Sequence, residues 1–315
     1  RMIKNSSILL FGAILLAACS QGERPPAVAD LPVRYAVVNL ADIGSAAALS
    51  SRCEEEGARF RDHFAALESS GVTPTIDGYY RSLDSLFSSL STLSSTAQSL
   101  AAVHPDEELR NAGDACSQLL AKVRTDMSLS RPLYDAVSRL DVADADAETR
   151  HSVEKLLLSF RLAGVDKDDA TRERIRQLND EIVATGQEWG RNIREDVRYL
   201  ELDSVDDLAG LPEDYIAAHQ PDENGKIRIS TQYPDVFPFF EYADSDELRK
   251  EMRQIYNSRA YPQNEAVLRK LIEARHELAQ LAGFDNYAEL VTADKMSGSP
   301  ERVAEFLADL KEYTT

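Results

Sequence analysis

Five histidines, His63, His104, His151, His219 and His276, are spread along the chain, and no two stand three or four residues apart. A helix offers two imidazoles to one zinc ion only at such a spacing, so the usual helix-borne zinc motif is missing from the sequence. The nearest approach is His276-Glu277-Leu278-Ala279-Gln280, with Gln280 where the second imidazole would stand. An amide oxygen replaces imidazole poorly on zinc, which leaves His276 as a helix-surface or interface residue. Asp222-Glu223-Asn224-Gly225 resembles part of a calcium loop, but Gln220 occupies the first ligand position and the segment reads as a turn. There is no Gly-x-Ser-x-Gly elbow, no phosphate-cradling Gly-x-x-x-x-Gly-Lys, no Gly-x-Gly-x-x-Gly and no Cys-x-x-Cys. No catalytic residue and no metal ligand is therefore assigned in this chain. Carboxylate pairs are frequent, but among 54 acidic residues they read as solvated helix faces.

The balance of 54 acidic against 35 basic side chains gives a formal charge of −19. Phosphate backbones are bound by clustered Lys and Arg, and the basic residues here are dispersed among acids, which excludes nucleic acid as a partner. A length of 315 residues predicts about two domains, each able to bury a sizeable core.

The three cysteines divide into one and two. Arg1 and Lys4 precede an apolar run, Ile8 to Ala18, that ends at Leu16-Ala17-Ala18-Cys19. Eleven residues rise only about 16 Å as a helix, too little for a hydrocarbon core of about 30 Å, so a membrane span is the poorer reading. The run resembles a bacterial lipoprotein signal; the competing reading is an ordinary secretory signal with an incidental cysteine. The lipoprotein resemblance implies cleavage before Cys19, lipidation of Cys19, and sorting to a Gram-negative outer membrane because Ser20, not Asp, follows. Arg1 ahead of Met2 marks Met2 as the natural start. Export would leave Cys53 and Cys116 as an even pair in an oxidising compartment. They either bridge, which would contribute about 4 kcal/mol on the chain-entropy model, or stand as two buried thiols.

The elements that position these residues read as helix after helix. Residues 1–18 form the leader, 19–32 a Pro-rich tether, 33–145 an N-terminal helical region and 146–315 a second helical region. Ser82 to Ser99 holds eight serines, but Leu83, Leu86, Phe87, Leu90, Leu93 and Leu100 recur at three- and four-residue steps, one helical stripe with the serines on its solvent face. A helix from about Ala147 to Ala163 is closed by Gly164. Aspartates at 166, 168 and 169 then cap a long helix running to about Arg198, with Ile175, Leu178, Ile182, Trp189 and Ile193 as its core stripe. Gly186 and Gly190 share one face and predict close approach of a neighbouring helix. Strand character is confined to one small antiparallel ribbon near 226–242, signalled by Asn224-Gly225 and the alternation of Lys226 to Ser230. Pro234 and Pro238 keep the aromatic stretch that follows out of a central strand. Helices resume around Leu248 to Tyr256 and Leu268 to Ala282, and Ser299-Pro300 starts a last one. The fold class is mainly α.

Several stretches together resemble the thimet oligopeptidase and oligopeptidase A family of zinc metallopeptidases. They are Tyr233-Pro-Asp-Val-Phe-Pro-Phe-Phe-Glu-Tyr-Ala, Tyr256-Asn257-Ser258-Arg259, and Arg275-His-Glu-Leu-Ala-Gln-Leu-Ala-Gly-Phe-Asp-Asn-Tyr-Ala-Glu-Leu. Lys295-Met296 and Ser299-Pro-Glu-Arg-Val follow in the family's order. The resemblance covers about residues 131–315. It implies a nearly all-helical peptidase whose two lobes flank a channel that admits short peptides. It also implies a zinc cofactor held by two histidines of a His-Glu-x-x-His helix and a distant glutamate, with the motif glutamate as general base. That motif lies downstream of the matched segments in the family, so no zinc ligand and no catalytic residue carries over to this chain. The expectation is the N-terminal, non-catalytic part of a periplasm-facing oligopeptidase of metalloendopeptidase or peptidyl-dipeptidase type, with short peptides as substrates and a lipid anchor as its only membrane contact. The alternative is a non-catalytic helical lipoprotein that binds a peptide or protein partner; Leu307 and Leu310, whose stripe would be left uncovered, favour the first.

Overall fold

The computed structural model describes residues 43–314; the leader, Cys19 and the tether lie outside the described residues. Twelve α-helices and one two-stranded sheet account for most of them. The mainly α reading holds.

Three long helices build the first core. α1 (Ala46–Ser69), α2 (Arg81–Val103) and α3 (Glu107–Ser128) pack on one another, α4 (Arg131–Ser138) joins α1, and α5 (Ala147–Leu162) joins α4. Their starts are fixed by short polar side chains: Ser45, Asp106, Ser130 and Asp146 each accept a backbone N–H from the first turn that follows. Leu83, Leu86, Leu90 and Leu93 of α2 are buried, as their spacing requires. The serines depart from expectation, since Ser82, Ser85 and Ser89 are buried as well. Helices pack on more than one side of α2, and a hydroxymethyl group is small enough to sit between them. Ser82 Oγ also lies 2.8 Å from His63 Nε2 of α1, so its hydroxyl is not stranded. Close approach on the other flank comes from Gly113, where a Cβ would stand 2.7 Å from the Ala97 carbonyl oxygen. A disulfide joins Cys53 of α1 to Cys116 of α3, with 5.6 Å between Cα atoms.

The long helix α6 (Asp169–Glu195) packs on α3 and runs along α10 (Gln263–Ala282). It stops three residues short of the expected end, because Asp196 leaves helical geometry at ψ 71° and turns its carboxylate onto other groups. Ile175 and Leu178 are buried, but Ile182, Trp189 and Ile193 are only half-buried. Nor do Gly186 and Gly190 meet a neighbouring helix: nothing lies within 4 Å of a Cβ built at either one. The helix that the glycines predicted is not there among the described residues.

Between α6 and α10 the chain forms a second unit with its own core. β1 (Tyr199–Leu202) pairs antiparallel with β2 (Ile227–Ser230), Leu200 opposite Ile229 and Leu202 opposite Ile227. α7 (Glu213–Ala218), α8 (Tyr233–Tyr242) and α9 (Asp246–Asn257) bury Tyr215, Val236, Phe239 and Met252 with these strands. The ribbon expected near 226–242 is thus corrected. Only residues 227–230 of that stretch are strand, their partner lies upstream at 199–202, and 233–242 is helix. The physical reasons are local. Residues 219–223 before the Asn224-Gly225 turn include Pro221 and offer no alternating apolar face, whereas Leu200 and Leu202 do. Pro234 sits in the first turn of α8, where its missing N–H is not needed, and Pro238 loses only one helical hydrogen bond.

α11 (Tyr287–Thr292) packs on α10, and α12 (Pro300–Thr314) follows, with the Ser299 hydroxyl accepting the Arg302 N–H at 3.3 Å. No side chain of α12 is buried; Phe306, Leu307 and Leu310 are all exposed. No helix among the described residues is long and apolar enough to cross a membrane.

Candidate functional site

Among the described residues, two of the concave sites on the α6–α10 framework differ in character. The larger, about 480 Å³, runs between the ends of α3 and α5 and the faces of α10 and α11, lined by Arg124, Asn179, Leu278, Tyr287, Asp294 and Lys295. Its charged groups are already engaged. Arg124 donates to Ser91 Oγ at 3.1 Å, and Lys295 pairs with Asp294 at 2.8 Å. The smaller, about 350 Å³, opens where α9 turns into α10 and is lined by Trp189, Ile193, Tyr256, Arg259, Tyr261 and Glu265, among others.

This smaller cleft is held by a fixed turn. Ala260 is buried with a left-handed φ of 58°, a conformation that a non-glycine residue keeps only when its surroundings hold it. Its N–H donates to Asp196 Oδ2 at 2.6 Å, and the same carboxylate takes Arg198 Nη2 at 2.8 Å. The Arg198 hydrogen bond holds the Asp196 carboxyl below the usual carboxylate range; burial opposes this, and the Ala260 N–H and the charges of Arg198 and Arg259 assist it. On the α10 side Asn264, only 5 % exposed, donates to the Trp189 carbonyl at 3.1 Å and accepts from Asn192 Nδ2 at 2.8 Å. The end of α6, the turn and the first turn of α10 are therefore locked together.

Along one side runs a group of aromatic rings and arginines. Phe237 meets Tyr233, Phe240 and Tyr256 edge-on at centroid distances of 5.0 to 6.4 Å, and Arg259 lies 3.9 Å over the Tyr256 ring. Arg253 lies 3.9 Å over Phe240.

Other chemistry-bearing groups are brought together without forming a reacting set. His219, Asp235 and Ser230 meet in the second unit, but the carboxylate stands in the middle. His219 Nε2 is 3.3 Å from Asp235 Oδ1, while Ser230 Oγ donates to Oδ2. A nucleophilic serine needs the imidazole next to its hydroxyl, so this trio ties α7 and β2 to α8. His276 is exposed, and its neighbour Glu277 places both carboxylate oxygens on Arg174, at 2.6 and 2.7 Å. That hydrogen bonding lowers the Glu277 pKa and raises that of Arg174. Asp222 closes the turn foreseen for it, its Oδ1 accepting the N–H of Asn224 and of Lys226. Among the described residues no cluster of three or more His, Cys, Asp or Glu side chains fits a metal ion.

The sequence reading missed the cleft residues as a site. Trp189 appeared as core and Tyr256 to Arg259 as helix; the available signal was the lone tryptophan on a helix otherwise rich in charge.

A family model described as Peptidase family M3 matches residues 239–315. Saccharolysin of Saccharomyces cerevisiae is 27% identical over 265 residues, 80% of this chain and 36% of the relative. Oligopeptidase A of Salmonella typhimurium is 29% identical over 248 residues, 72% of this chain and 35% of the relative. Oligopeptidase A of Escherichia coli is 27% identical over 271 residues, 79% and 39% respectively. The matched part of the chain spans little more than a third of the length of these relatives.

Proposed function

From the match of residues 239–315 to peptidase family M3 and the similarity to the oligopeptidases, we propose that this chain belongs to that family and forms the N-terminal, non-catalytic part of a zinc-dependent oligopeptidase that hydrolyses short peptides. The observation that carries the reading is the alignment of most of this chain with little more than a third of each oligopeptidase relative. Two observations support it. The sequence contains no His-Glu-x-x-His, so zinc chemistry needs residues beyond those present here. The apolar side chains of α12 face solvent, as they would on a helix that another part of the protein covers. The described residues do not fit a zinc ion, and no catalytic step is assigned to them.

The same proposal places the protein at the periplasmic face of an outer membrane, anchored by lipid on Cys19. Sequencing the source genome downstream of the Thr315 codon tests the peptidase part. An in-frame His-Glu-x-x-His helix supports it, and a stop within a few codons overturns it in favour of a non-catalytic helical lipoprotein. Radiolabelled palmitate tests the anchor: it should label the wild type and leave Cys19→Ser unlabelled.

A further inference from the structure

Arg259 and Glu265 line one cleft with opposite charges, and neither has a carboxylate or ammonium-type partner within 4.0 Å among the described residues. An arginine and a glutamate without an ion-pair partner, lining one aromatic-walled cavity, fit a ligand that carries both charges itself. Arg259 is prepared for a carboxylate. Its Nε donates to the Tyr256 carbonyl at 3.0 Å and its plane lies over the Tyr256 ring, which leaves both terminal nitrogens for a two-pronged contact. Asp196 lies near enough for its charge to be felt, but its oxygens are taken by Arg198 and the Ala260 N–H. Trp189, Ile193, Tyr261 and Leu268 supply apolar walls, and the buried Asn264 fixes the two helix ends that carry them.

We propose that this cleft binds a short zwitterionic peptide, its terminal carboxylate on Arg259, its ammonium facing Glu265 and an apolar side chain against Trp189 and Tyr261. The choice of a peptide rather than a free amino acid rests on the peptidase reading; the charge pattern does not.

Trp189 is the sole tryptophan of the sequence, so its fluorescence reports on this cleft alone. The 315-residue chain, shown to be folded by a cooperative urea transition, is titrated, in the presence of a chelator, with leucyl-leucine, its C-terminal amide, its N-acetyl derivative and free leucine. A saturable change in emission is expected with leucyl-leucine, with affinity about tenfold lower for the amide and for the acetylated form, because each removes one charge contact. Arg259→Gln should abolish the preference for the free acid, and Glu265→Gln the preference for the free amine. No saturable change, equal affinity for all three dipeptide forms, or leucine binding as tightly as leucyl-leucine would overturn the proposal. The readout needs no turnover, so a failure here leaves the hydrolysis reading standing, and failure of hydrolysis leaves this binding intact.

Discussion

Asp196 shows how much one side chain organises: a single carboxylate joins the end of α6 to the strained turn before α10 by holding Arg198 and the Ala260 N–H. An asparagine at this position keeps one acceptor but removes the charge that Arg198 faces. Asp196→Asn should cost about 1–2 kcal/mol at neutral pH, read by urea unfolding. The pH dependence has a definite sign. An aspartate whose pKa is lowered in the folded state contributes stability that is present above the unfolded value of about 3.9 and is lost as pH falls through the lower folded value. The gap between wild type and Asp196→Asn should therefore be constant down to about pH 4 and shrink below it; a gap that widens on acidification would contradict this account. The cleft that Asp196 supports was hardly legible beforehand. Motif reading finds residues at fixed sequence spacing, whereas Trp189, Arg259 and Glu265 converge only because α6 and α10 lie together and the turn at Ala260 reverses the chain. What the sequence did disclose was negative: Gln280 in place of a second imidazole, and Glu277 is in fact fully committed to Arg174.

Helices were the most legible elements, because apolar stripes and caps act locally. α5 begins at the expected Ala147, α12 begins at Pro300 directly after Ser299, and α6 begins just after its capping Asp168. Packing between helices was less legible, since a small residue invites close approach without saying whether a neighbour is there. Gly113 and Gly186 make the contrast measurable. Gly113→Ala puts a Cβ against the α2 backbone and should destabilise by about 1–3 kcal/mol, whereas Gly186→Ala enters open space and should stabilise by about 0.5–1 kcal/mol. Thermal unfolding of the two variants checks both, and a stabilising Gly113→Ala would show that α2 and α3 can separate at no cost. The Cys53–Cys116 bridge adds a second tie between α1 and α3. It spans a separation of 63 residues, so its removal in a Cys53→Ala/Cys116→Ala double variant should cost about 4 kcal/mol, seen as a lower urea midpoint. The ribbon was misplaced for a related reason. A strand is recognised by alternation but its partner by tertiary packing, and Tyr199 to Leu202 is too short a run to announce itself beside a long helix.

At the scale of the molecule, the described residues gather into a large helical core, a second core around the ribbon and a small cluster at Ala279, Ala282 and Leu290, while α12 contributes to none of them. A helix with Phe306, Leu307 and Leu310 in water gains nothing from hydrophobic burial, and the similarity to the oligopeptidases suggests a reason: nearly two thirds of each of these relatives lies outside the aligned segment. If that remainder covers α12, the consequence of one substitution depends on which protein carries it. Leu307→Ala should change the stability of the 315-residue chain by no more than about 0.5 kcal/mol, because the side chain is already exposed. In a longer natural chain that includes a His-Glu-x-x-His helix, the same change should cost about 2–5 kcal/mol through a buried cavity. Hydrolysis should divide the two proteins in the same way. The longer chain should cleave a quenched short peptide, lose that activity to a chelator and regain it with zinc, whereas the 315-residue chain should bind no stoichiometric zinc and turn over nothing. Equal effects of Leu307→Ala in both proteins would mean that α12 stays in solvent whatever follows it, and its exposed stripe would then have to be explained by a separate partner.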